Sequence, residues 1–189
     1  MFSITARRSA VRAAAAPIRT PTAPRVSLFH STAPNWVKKG DAIPSVELME
    51  GSPGNKVNLA EELKGGKGVI VGVPAAFSPS CSATHVPGYI NSAKLKDAGK
   101  VFVVSVNDAF VMKAWAESLD PSEKSGVRFI ADPSLAFTEA LDLDFDGSAI
   151  FGGSRSKRYA LLVEDGKVKE AFVEPDNTGL GVSTAEKVL

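Results

Sequence analysis

The stretch Gly68-Val69-Ile70-Val71-Gly72-Val73-Pro74-Ala75-Ala76-Phe77-Ser78-Pro79-Ser80-Cys81 decides how the chain is read. Its first six residues form a continuous, largely β-branched run, the pattern of a strand buried on both faces. Pro74 cannot donate to a sheet ladder, so the strand should stop there. Ser78 is a natural helix N-cap, Pro79 suits the first helical position, and Cys81 then falls in the first turn. A buried strand that runs into a helix start is where open α/β sheets place their sites.

Reading outward, Val101-Phe102-Val103-Val104-Ser105-Val106 predicts a second buried strand, and residues 127–130 a third, shorter one. Residues 79–98 suit a helix kinked where Pro87-Gly88 interrupts it. Asp108 can cap a further helix in which Val111, Trp115 and Leu119 share a face, and residues 136–141 suit another. The last third changes character. Two apolar runs, 159–163 and 168–173, flank Glu164-Asp165-Gly166-Lys167, where Asp-Gly is a strong hairpin signal, and a short helix near 184–189 closes the chain. Parallel units followed by an antiparallel hairpin and a helix predict an α/β, thioredoxin-like fold. Its central mixed sheet carries flanking helices and an antiparallel C-terminal hairpin.

The chain has 189 residues and a net charge of +1, enough for one domain with a sizeable core and no basic face for nucleic acid. No apolar run approaches the roughly 20 residues of a membrane-spanning helix. The charge is unevenly placed. No acidic residue precedes Asp41, while Arg7, Arg8, Arg12, Arg19 and Arg25 are spread through a stretch rich in Ala, Ser and Thr. That pattern predicts a mitochondrial transit peptide over residues 1–35 and a domain over 36–189, with the matrix as destination. A disordered basic tail is the plainer alternative.

There is a single cysteine, so no internal disulfide can form, and Cys81 with His85 cannot complete a four-ligand zinc site. No phosphate-binding glycine loop occurs either, and no cofactor is expected. A thiol at a helix N-terminus gains thiolate character from the helix dipole, and Ser78 could donate its hydroxyl to the sulfur. A thiolate can attack a peroxide O–O bond and become a sulfenic acid. Such a site also needs a cation. Arg128 opens a strand parallel to the first and so starts at the far edge of the sheet. Arg158 opens an antiparallel strand, which puts it at the edge of Cys81, with Arg155 and Lys157 as less favoured neighbours. His85, one turn from Cys81, raises a Cys–His hydrolase as an alternative, although nothing supplies an orienting Asn or an oxyanion motif. A non-catalytic thioredoxin-fold binding or chaperone-like module is another.

At these residues a family resemblance becomes specific. Pro74-x-x-x-Ser78-x-x-Cys81 resembles the Pxxx[T/S]xxC motif of peroxiredoxins. Thr84-His85-Val86-Pro87-Gly88, Ser105-Val106-Asn107-Asp108, Ala131-Asp132-Pro133 and Glu174-Pro175-Asp176 are similar to the type-five members. The resemblance implies a peroxidase that reduces hydrogen peroxide and organic hydroperoxides in antioxidant defence and peroxide signalling. Cys81 would be its nucleophile, shielded by Pro74; the neighbouring Phe77 is also expected to screen the sulfur. Ser78 would orient the peroxide, and Arg158 would complete the site. It also suggests a homodimer formed near the active-site edge. Two departures stand out. Ser78 replaces the more usual Thr, and the region Gly181-Val182-Ser183 lacks the resolving cysteine that some type-five members carry. The sulfenic acid should then be resolved by an external thiol in a one-cysteine cycle. Glutathione with glutaredoxin is favoured, with thioredoxin or ascorbate as alternatives.

Overall fold

The computed structural model describes residues 36–189. Along them run strands β1 (Leu48–Glu50), β2 (Ser52–Val57), β3 (Lys67–Val73), β4 (Lys100–Ser105), β5 (Arg128–Ala131), β6 (Asp144–Phe145), β7 (Arg155–Ser156), β8 (Tyr159–Glu164) and β9 (Lys167–Val173). The helices are α1 (Leu59–Glu62), α2 (Val86–Ile90), α3 (Ala109–Leu119), α4 (Ala136–Ala140), α5 (Ser148–Phe151) and α6 (Ala185–Val188). A π-helical segment, Cys81–His85, leads directly into α2.

Seven strands form one sheet in the order β2-β1-β5-β4-β3-β8-β9, and β6 pairs with β7 separately. β3, β4 and β5 are parallel, while β8 runs antiparallel to β3 and β9 antiparallel to β8. The α/β, thioredoxin-like reading therefore holds. At the hairpin tip Asp165 and Gly166 both adopt positive φ, 52° and 71°, the backbone that a two-residue type I′ turn requires.

Alternation along β3 divides the core. Val69, Val71 and Val73 pack on one face of the sheet with Val86, Tyr89, Met112 and Trp115, whereas Ile70 packs on the other with Phe102, Ile130, Phe137 and Leu161. Both faces are covered, which is why β3 and β4 read as unbroken apolar runs. Burying each of these large side chains contributes about 1.5–3 kcal/mol. Gly72 has a specific reason. A Cβ there would lie 2.0 Å from the Tyr159 ring, so only glycine lets β8 close against β3 at that register.

Three elements depart from the sequence reading. The expected helix over 79–98 ends at Ile90, capped by Asn91, whose side-chain amide donates to the Pro87 carbonyl; a 3₁₀ turn, Leu95–Asp97, follows. Within that helix the chain widens into a π segment, closed by Val86 N–H to the Cys81 carbonyl, immediately before Pro87, which has no N–H to give. The buried face of α3 is centred on Ala109, Met112 and Trp115, with Val111 at its margin. The β1–β2 hairpin has no signal in the sequence, because Ser52-Pro53-Gly54-Asn55 is poor in strand formers and lies exposed. The arginine-rich N-terminal stretch, expected to be a transit peptide, lies outside the described residues.

Candidate active site

β3 delivers its chain to the site through a tight loop. Pro74 and Ala75 are buried, and Phe77 takes a left-handed conformation at φ 59°. Asn107, just beyond the end of β4, ties this loop down. Its Oδ1 accepts from Ala76 N–H at 3.0 Å, and the Ser105 hydroxyl lies 2.7 Å from the same oxygen. Ser82 N–H then bonds the Ser78 carbonyl at 2.9 Å, the first helical hydrogen bond, which puts Cys81 in the first turn.

Cys81 has no solvent exposure, and Arg158 Nη1 donates to its Sγ at 3.3 Å. Arg158 is itself 2% exposed. It sits here because β8 is antiparallel to β3 and pairs Tyr159 with Gly72, which brings the residue before β8 to the C-terminal end of β3. A buried guanidinium is costly unless it is well partnered. Besides the sulfur, its Nε donates to the Thr178 carbonyl at 3.1 Å, and its backbone N–H to Asn177 at 2.6 Å.

The other cations lie elsewhere. Arg128, at the opposite end of the sheet, pairs with Glu50 at 2.6 Å and Glu62 at 3.0 Å. Arg155 donates to the carbonyls of Val106 and Phe151, and Lys157 to Asn177 Oδ1 at 2.5 Å.

Two expectations about side chains need correction. The Ser78 hydroxyl donates to the Ala75 carbonyl at 2.9 Å and not to the thiol, because the loop folds that carbonyl back over the helix start. Its lone pairs are left to accept. Phe77 is 54% exposed and lies beside Trp115, so more than half of its surface faces solvent instead of covering the sulfur. Pro74 is buried as expected.

His85 is fully buried, and its Nε2 donates to the Ser183 carbonyl at 2.9 Å, so Nδ1 carries no proton in the neutral ring. Burial, then the nearby Arg158 charge, push its pKa down to about 4 against the hydrogen bond to Ser183. Among the described residues Sγ is bonded by Arg158 and not by His85, so the Cys–His dyad does not form. Sequence reasoning assigned no role to Asn107, Glu174 or Ser183. Their types are ordinary, and only the fold shows what they hold. Among the described residues no cluster of His, Cys, Asp and Glu could bind a metal, and no helix is long and apolar enough to cross a membrane.

The redoxin family profile matches residues 38–189. Peroxisomal membrane associated protein 20 of Schizosaccharomyces pombe is 47% identical over 156 residues, covering 81% of this chain and 97% of that protein. Peroxiredoxin-2C of Oryza sativa subsp. japonica is 42% identical over 159 residues, covering 81% and 96%. The chain belongs to the peroxiredoxin family. Reduced Prx3 of Vibrio vulnificus, crystallised in complex with hydrogen peroxide, matches this peroxiredoxin with a TM-score of 0.73 at 39% identity, covering 80% of this chain and 97% of that one. Peroxiredoxins are thiol-dependent peroxidases, and this one is accordingly an oxidoreductase acting on a peroxide at the expense of a thiol. Membership sets aside the non-catalytic binding module.

Proposed function

We propose that Cys81 is the peroxidatic residue of a one-cysteine cycle, in which Ser78 and Arg158 hold the peroxide and Pro74 closes off the sulfur. The observation that carries this reading is the 3.3 Å contact between the buried Arg158 guanidinium and the only sulfhydryl in the sequence. In the first step the Cys81 thiolate attacks one oxygen of ROOH, an S–O bond forms, and the O–O bond breaks. Sulfur is oxidised to the sulfenic acid, and RO⁻ takes a proton and leaves as ROH. The Ser78 hydroxyl, already donating to Ala75, accepts from the peroxide O–H. Arg158 Nη1 faces the charge as it moves from sulfur to the leaving oxygen, the arrangement in which a preorganised cation lowers a barrier.

The second step needs a thiol from outside the chain. A thiol RSH attacks the sulfenic sulfur, water leaves, and a mixed disulfide forms; a second thiol then reduces it to Cys81. Cys81 is buried, so a small thiol reaches it with less rearrangement than a protein does. This favours glutathione as the resolving thiol with glutaredoxin acting on the mixed disulfide, over direct attack by thioredoxin. We further propose a homodimer built at the active-site edge, supported by the exposed side chains of Phe77, Phe110 and Ile150 on loops and helix starts at that end of the sheet. The acid-free arginine-rich leader supports a mitochondrial address, whereas the Schizosaccharomyces pombe relative is named for the peroxisomal membrane.

A peroxide-consumption assay with glutathione and glutaredoxin tests the reading. Wild type should turn over and Cys81→Ser should not, while keeping its circular dichroism. Undiminished turnover by Cys81→Ser would overturn it.

A further inference from the structure

Glu174 is a buried carboxylate that the chemistry above does not use. Four donors converge on it. Oε1 accepts from Val182 N–H at 2.8 Å, Ser183 N–H at 2.9 Å and the Ser183 hydroxyl at 2.8 Å, and Oε2 accepts from Gly181 N–H at 2.9 Å. The fit is close, since a Cβ on Gly181 would come within 3.2 Å of Oε2. Burial works against the charge, but these donors outweigh it and hold the carboxyl below its usual range.

The segment that Glu174 gathers, residues 177–183, touches both halves of the site. At its start the carbonyls of Asn177 and Thr178 accept from the backbone N–H and Nε of Arg158. At its end the Ser183 carbonyl accepts from His85 Nε2 at 2.9 Å and the Tyr89 hydroxyl at 2.6 Å, both on the helix that carries Cys81. Glu174 N–H also donates to the Arg158 carbonyl at 3.0 Å. One side chain thus ties the loop that holds the cation to the helix that holds the sulfur.

We propose that Glu174 is a positioning residue, whose carboxylate fixes the 177–183 segment and through it sets the Arg158 guanidinium against Cys81 Sγ. The proposal rests on the reading of Cys81 and Arg158 given above. An amide cannot replace the carboxylate, because one of its two ends is a donor and would oppose an N–H.

The test compares Glu174→Gln and Ser183→Ala with wild type in two assays, peroxide reduction and the pH profile of Cys81 alkylation by iodoacetamide. Glu174→Gln should lower the second-order rate with peroxide by about tenfold, as a slightly misplaced group does. Its alkylation profile should move to higher pH, while the plateau rate at high pH stays within about twofold of wild type. Ser183→Ala, which removes one of the four donors, should shift both readouts the same way by less, and it decides the matter if Glu174→Gln does not fold. A folded Glu174→Gln with a lower melting temperature but wild-type peroxide rate and alkylation profile would overturn the proposal, leaving Glu174 a structural anchor only. If wild type itself consumes no peroxide, the peroxidase reading falls. The alkylation profile then still decides on Glu174, a shift supporting the positioning role and an unmoved profile refuting it.

Discussion

Mild acid should destabilise this protein through His85, and the size of the effect follows from the structure. The ring is buried, and burial together with Arg158 holds its folded pKa at about 4 instead of 6.5. Between those values the unfolded chain binds a proton that the folded chain refuses, so stability rises with pH across the window and is lost as pH falls. The loss due to His85 is negligible at pH 7.5, about 2 kcal/mol at pH 5, and tends to about 3 kcal/mol at pH 4 and below. His85→Gln keeps a donor for the Ser183 carbonyl and cannot take up the proton. The assay is urea unfolding of both proteins at pH 7.5, 6 and 5, followed by tryptophan fluorescence, since Trp115 is buried beside Phe129. At pH 7.5 the variant should be the less stable protein, and that deficit should shrink by about 2 kcal/mol, or reverse, by pH 5. A gap that stays constant to within about 0.5 kcal/mol would show that His85 is not held neutral, and would refute the burial argument.

Arg158→Ala should lower the second-order rate with peroxide by about a hundredfold. Arg128→Ala removes the far-edge pairs with Glu50 and Glu62 and the stacking of the guanidinium over Phe102, all remote from Cys81, so its rate should stay near wild type while its urea midpoint falls. Phe110, 64% exposed at the start of α3, should matter for assembly: Phe110→Glu should elute as a monomer by size exclusion with light scattering where wild type elutes as a dimer. A fluorescent fusion of the full chain should localise to mitochondria and lose that address when residues 1–35 are deleted; a peroxisomal pattern would contradict the reading of the leader.

What the sequence shows and what it conceals divide along physical lines. β3 and β4 are legible because both faces are buried, which leaves unbroken β-branched runs, and the Asp165-Gly166 hairpin is legible because few residue pairs tolerate two positive φ values. The placement of Arg158 at the edge of Cys81 follows from strand direction, since the start of an antiparallel strand meets the end of its parallel neighbours; the register that pairs Tyr159 with Gly72 brings it beside the sulfur. The end of the Cys81 helix at Ile90 is not legible, nor is the π segment before Pro87, because both depend on which backbone carbonyls the turns reach. Nor is the direction of the Ser78 hydroxyl, which depends on where a loop folds the Ala75 carbonyl. The network at Glu174 is hidden for the same reason: three of its four donors are backbone amides, which leave no side-chain signature in a sequence.

The most direct test of the central claim is mass spectrometry of the intact protein after one equivalent of hydrogen peroxide and limiting glutathione. The account predicts a single glutathione adduct, mapped to Cys81, absent from Cys81→Ser and removed by glutaredoxin at the turnover rate. A Cys81–Cys81 linked dimer that reduces and re-forms at the turnover rate would contradict it.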